Sequence, residues 1–558
     1  MEKIWLRHYP PGVPKTLNLD PEDSLLDLFK VACEEFAQLP AFTNFGHTIT
    51  YAELDELAAR FAAHLQTETA LQRGDRVALM LPNLLQFPVA LFGIWRAGLV
   101  IVNVNPLYTP PELEHQLNDS GAKAIVISAN SAATLDQVIG NTDIEHVIVT
   151  EIGDLLGFPR RWLVNMIVRH VKRMVPPYQL DGAITFDQAI AADKEKFQPV
   201  SVSGRDLACL QYTGGTTGRA KGAMLSHGNL IANVHQVNAI FSSRVDKGLE
   251  IMITALPLYH IYALTCNCLC YMALGARDIL ITDPRDTAGF INELKKWKFT
   301  AMTGVNTLYQ SLVNHPRIRE VDFSHLNIAS AGGMAVMEDT ARQWYDITGT
   351  DIIEGYGLSE TSPVLTSNPA NAQGFTGSIG MPLPDTDISL RNGKGKEVPQ
   401  GEPGELCARG PQVMSGYWND PDATARAMTK DGFFRTGDIA IMDESGYFRI
   451  VDRIKDMIIV GGFNVYPNEV EDIVTLHPDV IEAACVGVRS EKNREIVKVF
   501  VVTKPGATTT VEDIREHCRK SLAAYKVPKL VEFRTELPKS NVGKILRRSL
   551  RDDTSASA

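Results

Sequence analysis

Apolar residues recur every three or four positions over Tyr51–Thr67 (YAELDELAARFAAHLQT), and this spacing predicts an amphipathic helix. Gln86–Ala97 predicts a second helix. Between and beyond them the pattern changes to short apolar runs: Arg76–Leu81, Gly98–Val104 (GLVIVNV) and Ala124–Ser128 (AIVIS). Their β-branched content and unbroken apolarity suit strands buried on both faces of a parallel sheet. The pattern resumes at Ile251–Leu256, Asp278–Ile281, Ala301–Val305 and Asp351–Ile353. Helix and strand alternating in this way predict a doubly wound α/β architecture.

From about Gly377 the texture becomes β-rich, with short runs between turn sequences such as RNGKGKE, PQGEPGE and DESGY. It changes again near Val451–Asp456 (VDRIKD), after which about a hundred residues carry their own helices and strands. The expected organisation is an α/β body over 1–451 with a β-rich part at about 377–451. A short hinge at 452–455 follows, and then a small α+β domain over 456–558. A chain of 558 residues is too long for one core, which agrees with such a division.

Composition narrows the function classes. Charged residues make up 22% and the net charge is −11, so no global basic field exists to collect a nucleic acid, and none is expected as a partner. The N-terminal stretch MEKIWLRHYPPGVPKTLNL lacks the apolar core of a secretory signal. No apolar run is long enough to span a bilayer. The eight cysteines form no CxxC pair, and free thiols fit a reducing, cytoplasmic setting. Cys266, Cys268 and Cys270 read as small core residues, with a metal site the weaker alternative.

The densest chemistry lies in Tyr212–Leu225, YTGGTTGRAKGAML. Thr213, Thr216 and Thr217 offer hydroxyl donors. Gly214, Gly215, Gly218 and Gly222 let backbone amides approach an anion, and Arg219 and Lys221 add positive charge. Ala220 precedes the lysine; Ala223 and Met224 continue into an apolar run. The flanks LACLQYT and AKGAMLS both read as strands, so the loop is expected to tip a hairpin. It is not a Walker A loop, because the order GK followed by Ser or Thr is absent. A flexible glycine turn would explain Gly214 and Gly215, but not the threonines together with the lysine.

Four further segments carry polar groups in plausible register. Gly355–Thr361 (GYGLSET) places an aromatic face, Tyr356, between Gly355 and Gly357, and adds the Ser359 hydroxyl and the Glu360 carboxylate, a hard oxygen ligand suited to Mg²⁺. Phe434–Asp438 (FRTGD) is either good turn chemistry or a carboxylate offered to a sugar diol. Asp452–Glu471 begins with Arg453 and Lys455, which read equally well as a surface turn ahead of a core strand. Pro538–Arg548 (PKSNVGKILRR) is basic, and by charge alone would be a solvated face.

Taken in order, these segments resemble the signatures of the adenylate-forming superfamily, which includes acyl-CoA synthetases, luciferases and peptide-synthetase adenylation domains. The resemblance covers nearly the whole chain. Within that superfamily the chain is most similar to bacterial long-chain fatty acyl-CoA synthetases. The resemblance implies ATP, Mg²⁺ and coenzyme A as partners of the reaction, with a fatty acid as the acid. It implies that the loop Thr213–Met224, together with Gly333 of Ser330–Met334 (SAGGM), Glu354, Gly355, Tyr356 and Gly357, serves the nucleotide. It places Ser359 at the α-phosphate, Glu360 at the metal, Asp438 and Arg453 at the ribose, Lys455 at the hinge and Gly462 beside pantetheine. Lys544 becomes the lysine of the adenylation step. A fatty acyl-AMP ligase, or a medium-chain or aryl acid ligase of the same superfamily, is the alternative.

Two segments bear on the acid. Pro257–Thr265 (PLYHIYALT) resembles the wall of the acyl site, with His260 either beside the acyl carboxylate or simply a satisfied, half-buried histidine. No acidic residue lies between Leu256 and Tyr271, which argues against a substrate bearing an ammonium group. Arg160–Tyr178 (RRWLVNMIVRHVKRMVPPY) has no acid between Asp154 and Asp181. Arg161, Asn165, Arg169, Lys172 and Arg173 fall along one side of a predicted helix and apolar residues cover the rest. Such a helix either lies on the anionic inner face of a membrane or packs its apolar side inward with solvated arginines. Oligomeric state stays open, with a homodimer one option.

Overall fold

The computed structural model describes residues 2–213, 220–460, 463–489, 495–539, 545–547 and 549–551. The chain divides into two compact units: Tyr9–Asp387 with Arg409–Gly432, and Met1–His8 with Ile388–Ala408 and Phe433–Ala558.

The larger unit is built on two sheets. In the seven-stranded sheet the order is Ile184–Thr185, His146–Thr150, Ala122–Ser128, Arg76–Met80, Val100–Asn103, Leu207–Thr213 and Lys221–Ser226. Every neighbouring pair is parallel except the last, which forms the expected hairpin around the glycine-rich loop. The second sheet has nine strands. Its six central strands, from Pro40–Asn44 to Ile352–Gly357, run parallel, and antiparallel strands close each end. The α/β class read from the sequence is therefore the class observed.

The helices form where capping and burial agree. Thr50 caps Tyr51–Thr67: its hydroxyl accepts from the Glu53 amide at 3.2 Å, and the Glu53 carboxylate accepts from the Thr50 amide at 2.7 Å. Leu54, Ala58, Phe61, Ala62 and Leu65 form its buried stripe. Gln86–Arg96 buries every residue but Arg96, which is why it reads as apolar all round. Its lone amide, Gln86, is satisfied by Thr150 and by the Glu151 carbonyl.

One local expectation holds and another changes. Cys266 and Cys268 lie in a π-helical segment, Leu264–Leu269, which continues into Cys270–Met272. All three thiols are buried among core residues, and the described residues hold no cluster of three metal-ligating side chains. The helix expected over Arg160–Tyr178 ends at Met166, continues as a π turn to Val171 and then stops. Its polar side faces the protein rather than solvent: Arg161 pairs with Asp154 and Asp187, Arg169 pairs with Glu151, and Asn165 bonds Gly153 and Asp154. The apolar-side-in packing read as one alternative is not what forms.

The smaller unit holds a four-stranded sheet, Asp387–Arg391, Gly404–Arg409, Phe434–Met442 and Phe448–Arg453, matching the β-rich texture. It also contains a three-stranded sheet, Val480–Arg489, Glu495–Thr503 and Leu530–Phe533, covered by Pro467–Thr475 and Val511–Arg519. Val470, Val474, Val499, Val501, Ile514 and Cys518 fill the core between them.

Candidate active site

The glycine-rich loop is held at both ends. Thr213 ends one strand of the hairpin and Lys221 begins the other, in register with each other. On the inner strand Gln211 accepts from Asn103 at 3.0 Å and donates to the Tyr259 carbonyl at 3.2 Å. His115 bonds the Ala220 carbonyl at 3.2 Å. Gly214, Gly215, Thr216, Thr217, Gly218 and Arg219 lie outside the described residues.

On its other side, Lys221–Ser226 meets a segment that the sequence reading passed over, Met414–Asp420. Ala223 forms a bridge with Tyr417. Met224 donates to the Gly416 carbonyl at 2.9 Å, and Trp418 donates to the Gly222 carbonyl at 2.8 Å. The same segment reaches the acidic motif: Met414 donates to the Glu360 carbonyl at 2.8 Å, and the Tyr417 hydroxyl donates to Glu360 Oε1, also at 2.8 Å. The Lys221 ammonium lies 5.4 Å from the centre of the Tyr417 ring and 3.6 Å from Asp420 Oδ2. Lys221, Tyr417 and Glu360 therefore stand together, with Asp420 beside the lysine.

The chemistry of this group follows from its surroundings. Burial, and then the Glu360 charge, push the Tyr417 phenol well above its usual range, so it stays a neutral donor. The Ala423 amide first and Lys221 second hold the Asp420 carboxylate below its ordinary value. Asp420 caps the helix Pro421–Ala427 through that amide at 2.8 Å. Glu360 is 8% exposed and its carboxylate is fixed by Tyr417. A lone carboxylate suits a magnesium ion that takes its other ligands from phosphates and water. It would not suit an all-protein cage, and the described residues contain none. Tyr417 and Asp420 were missed in the sequence because Gly416–Asp420 (GYWND) reads as turn punctuation. The Asp-Pro pair before an alanine-rich run is the local signal from which the helix start, and Asp420 with it, could have been read.

The remaining motif residues converge on the ends of neighbouring strands. Gly355, Tyr356 and Gly357 form the end of the strand Ile352–Gly357, paired with Val364–Ser367. A Cβ on Gly357 would meet the Pro363 carbonyl oxygen at 1.9 Å, so no other residue fits there. Ser359 and Glu360 follow on a 3-10 turn, Ser359–Thr361. Gly333 adopts φ +79° just beyond the adjoining strand Ile328–Ala331. The Glu354 carboxylate accepts from the Val336 amide at 3.0 Å, and burial still pushes it up to about 7. His260 Nδ1 accepts from the Tyr262 amide at 3.2 Å, which leaves the proton of the neutral ring on Nε2. Its neighbours Leu258, Ile261, Ala263 and Leu264 are fully buried.

In the smaller unit Asp438 and Arg453 face each other across adjacent strands, with Nε of the arginine 3.4 Å from Oδ1 of the aspartate. Burial, and then the Arg453 charge, lower the Lys455 ammonium from its ordinary range. Gly462 and Lys544 lie outside the described residues. Arg547 and Arg551, further along the chain, are well held, however. Arg547 bonds Glu471 at 2.5 and 2.9 Å and Asn468 at 2.5 Å, and lies 3.6 Å from Asp456. Arg551 also pairs with Asp456. A stretch that charge alone would leave solvated is in this part a buried ionic cluster.

Comparison with known proteins adds the context. Residues 29–418 match the family model described as AMP-binding enzyme, and residues 469–544 match the AMP-binding enzyme C-terminal domain. A long-chain-fatty-acid–CoA ligase of Escherichia coli is 53% identical over 554 residues, spanning 99% of this chain and 98% of that protein. The protein of that name from Haemophilus influenzae is 52% identical, covering 99% of each chain. Among solved structures, ATP-bound MatB from Rhodopseudomonas palustris has a TM-score of 0.82 at 30% identity, covering 95% of this chain and 99% of that one.

Proposed function

The chain belongs to the AMP-binding enzymes, and from that premise we propose that it is an AMP-forming ligase that activates a long-chain fatty acid with ATP and passes the acyl group to coenzyme A. The first half-reaction joins the acid's carboxylate to the α-phosphorus and releases pyrophosphate. The second displaces AMP with the thiol. The observation that carries the reading is the end-to-end likeness to long-chain-fatty-acid–CoA ligases at 53% identity.

Each site residue then has a task. Two anions must meet in the first step, so fixed positive charge and preoriented donors lower the barrier most. Lys221 neutralises phosphate charge, and Asp420 holds its ammonium in place until the nucleotide arrives. Glu360, oriented by Tyr417, would hold magnesium, and that ion supplies charge neutralisation on the pyrophosphate leaving group. The Ser359 hydroxyl donates to the α-phosphate. Tyr356 offers its ring to the adenine. Asp438 and Arg453 serve the ribose, and Lys544 neutralises charge as carboxylate and phosphate join.

The acid is uncharged along its chain on this reading. The segment Leu258–Leu269 is buried except at the half-buried Tyr259, His260 and Tyr262, and carries no acid to pair with an ammonium. The test is pyrophosphate exchange and AMP release across a panel of oleate, acetate and cinnamates, with free coenzyme A as acceptor. Oleate is expected to be fastest. Faster turnover of acetate or cinnamates, or acyl-AMP that accumulates without consuming coenzyme A, would refute it.

A further inference from the structure

The stretch from Phe158 to Met174 is turned inside out. Its polar side chains Arg161, Asn165 and Arg169 are spent on Asp154, Asp187, Gly153 and Glu151 of the protein body. Five of its apolar side chains point to solvent instead: Phe158 is 92% exposed, Val171 68%, Trp162 64%, and Leu163 and Met174 47% each, while Val164, Met166, Ile167 and Val168 are half-buried. Neither the short helix nor the π turn contains a buried residue. Single exposed apolar residues need no explanation, but five large ones within seventeen positions form a patch that something should cover.

The charge around the patch selects the cover. Arg160, Lys172 and Arg173 border it and make no ion pair with a described residue. No acid occurs between Asp154 and Asp181, although the chain as a whole carries −11. An anionic surface would therefore attract this face while repelling the bulk of the molecule. An aromatic and aliphatic face rimmed by cations fits the boundary between headgroups and acyl chains, with Trp162 at the interface and the cations among phosphates. We propose that Phe158–Met174 is a docking surface for an anionic phospholipid bilayer. The contact is peripheral, because no helix among the described residues is long and apolar enough to cross a membrane. It deepens the ligase reading by placing the enzyme where a long-chain acid partitions, but the surface itself rests on exposure and charge alone.

The test uses the full-length protein without ATP, sedimented with vesicles of phosphatidylcholine alone or mixed with phosphatidylglycerol. Wild type is expected to bind the mixed vesicles and to release them at high salt. The triple variant F158S/W162S/V171S should bind at least tenfold more weakly. K172Q/R173Q should lose about fivefold per cation, together with the preference for phosphatidylglycerol. Pyrophosphate exchange on detergent-dispersed oleate should be unchanged in both variants, which verifies that they fold. Wild type that stays in the supernatant, or variants that bind as wild type does, would overturn the proposal. So would a variant that dissociates a wild-type oligomer while keeping vesicle affinity, which would assign the face to a second copy of the chain. Loss of exchange in wild type would sink the ligase reading without touching the vesicle result.

Discussion

Replacing Tyr417 with phenylalanine removes one oxygen and, with it, the 2.8 Å hydrogen bond to Glu360. The ring remains, so the Lys221 contact at 5.4 Å and the backbone bridge to Ala223 are kept. A neutral donor on a carboxylate that is 8% exposed contributes about 1.5–3 kcal/mol. If that energy is used to aim Glu360 at magnesium, its loss weakens the ion by roughly 10–100-fold, the usual range for a partner behind a metal ligand. The assay is pyrophosphate exchange titrated with Mg²⁺. Half-maximal rate should need about 10–100 times more Mg²⁺ in the variant, and the defect should shrink at saturating metal. Thioester formation from supplied acyl-AMP should be spared, since no pyrophosphate leaves in that step. An unchanged magnesium dependence, or equal losses in both half-reactions, would refute the assignment of Tyr417 and Glu360.

Lys544→Ala should abolish most acyl-AMP formation while largely sparing thioesterification of supplied acyl-AMP; separate half-reaction assays decide this, and equal loss in both counts against it. Asp278 is 3% exposed, and no hydrogen bond in acceptable geometry reaches either of its oxygens; burial pushes it up to about 7, with Thr254 only partly offsetting. The folded state therefore binds the extra proton between about 4 and 7, so stability falls as pH rises through that window. Asp278→Asn should remove that slope and gain on the order of 4 kcal/mol at most above pH 7, read from urea unfolding at pH 6 and pH 8; an unchanged slope would be the contrary result. Arg547→Met removes the ionic partner of Glu471, while Asp456 keeps Arg551, and should destabilise the smaller unit by about 3–5 kcal/mol. Adding Glu471→Leu should recover part of that loss in thermal unfolding, and no recovery would mean that the ionic cluster does not act as a unit.

Much of the fold was legible because its strands are short, β-branched and buried on both faces, as in Val100–Asn103 and Ala122–Ser128, a pattern that few other structures share. The hairpin around the glycine loop could be read for the same reason, since both flanks have strand texture. The motif residues could be proposed from the sequence because they cluster there. Tyr417 and Asp420 were not, because they reach Glu360 and Lys221 across long separations in chain position, and a turn-like GYWND advertises nothing about its neighbours. Arg547 was misjudged because net charge along a segment says nothing of burial; only the folded positions of Glu471 and Asp456 reveal the cluster. The stretch after Arg160 was read correctly in its residue types but not in its orientation. Side-chain spacing defines two faces, and it cannot say which one the body of the protein will claim when acids such as Asp154, Asp187 and Glu151 wait there.

The strand Lys221–Ser226 ends its sheet, and an end strand ordinarily displays a ladder of unmet amides and carbonyls. Here the backbone of Gly416 and Trp418 meets that ladder. With its margin met in this way, the strand has less to offer a stray strand from another molecule, so a large sheet can end here without inviting aggregation.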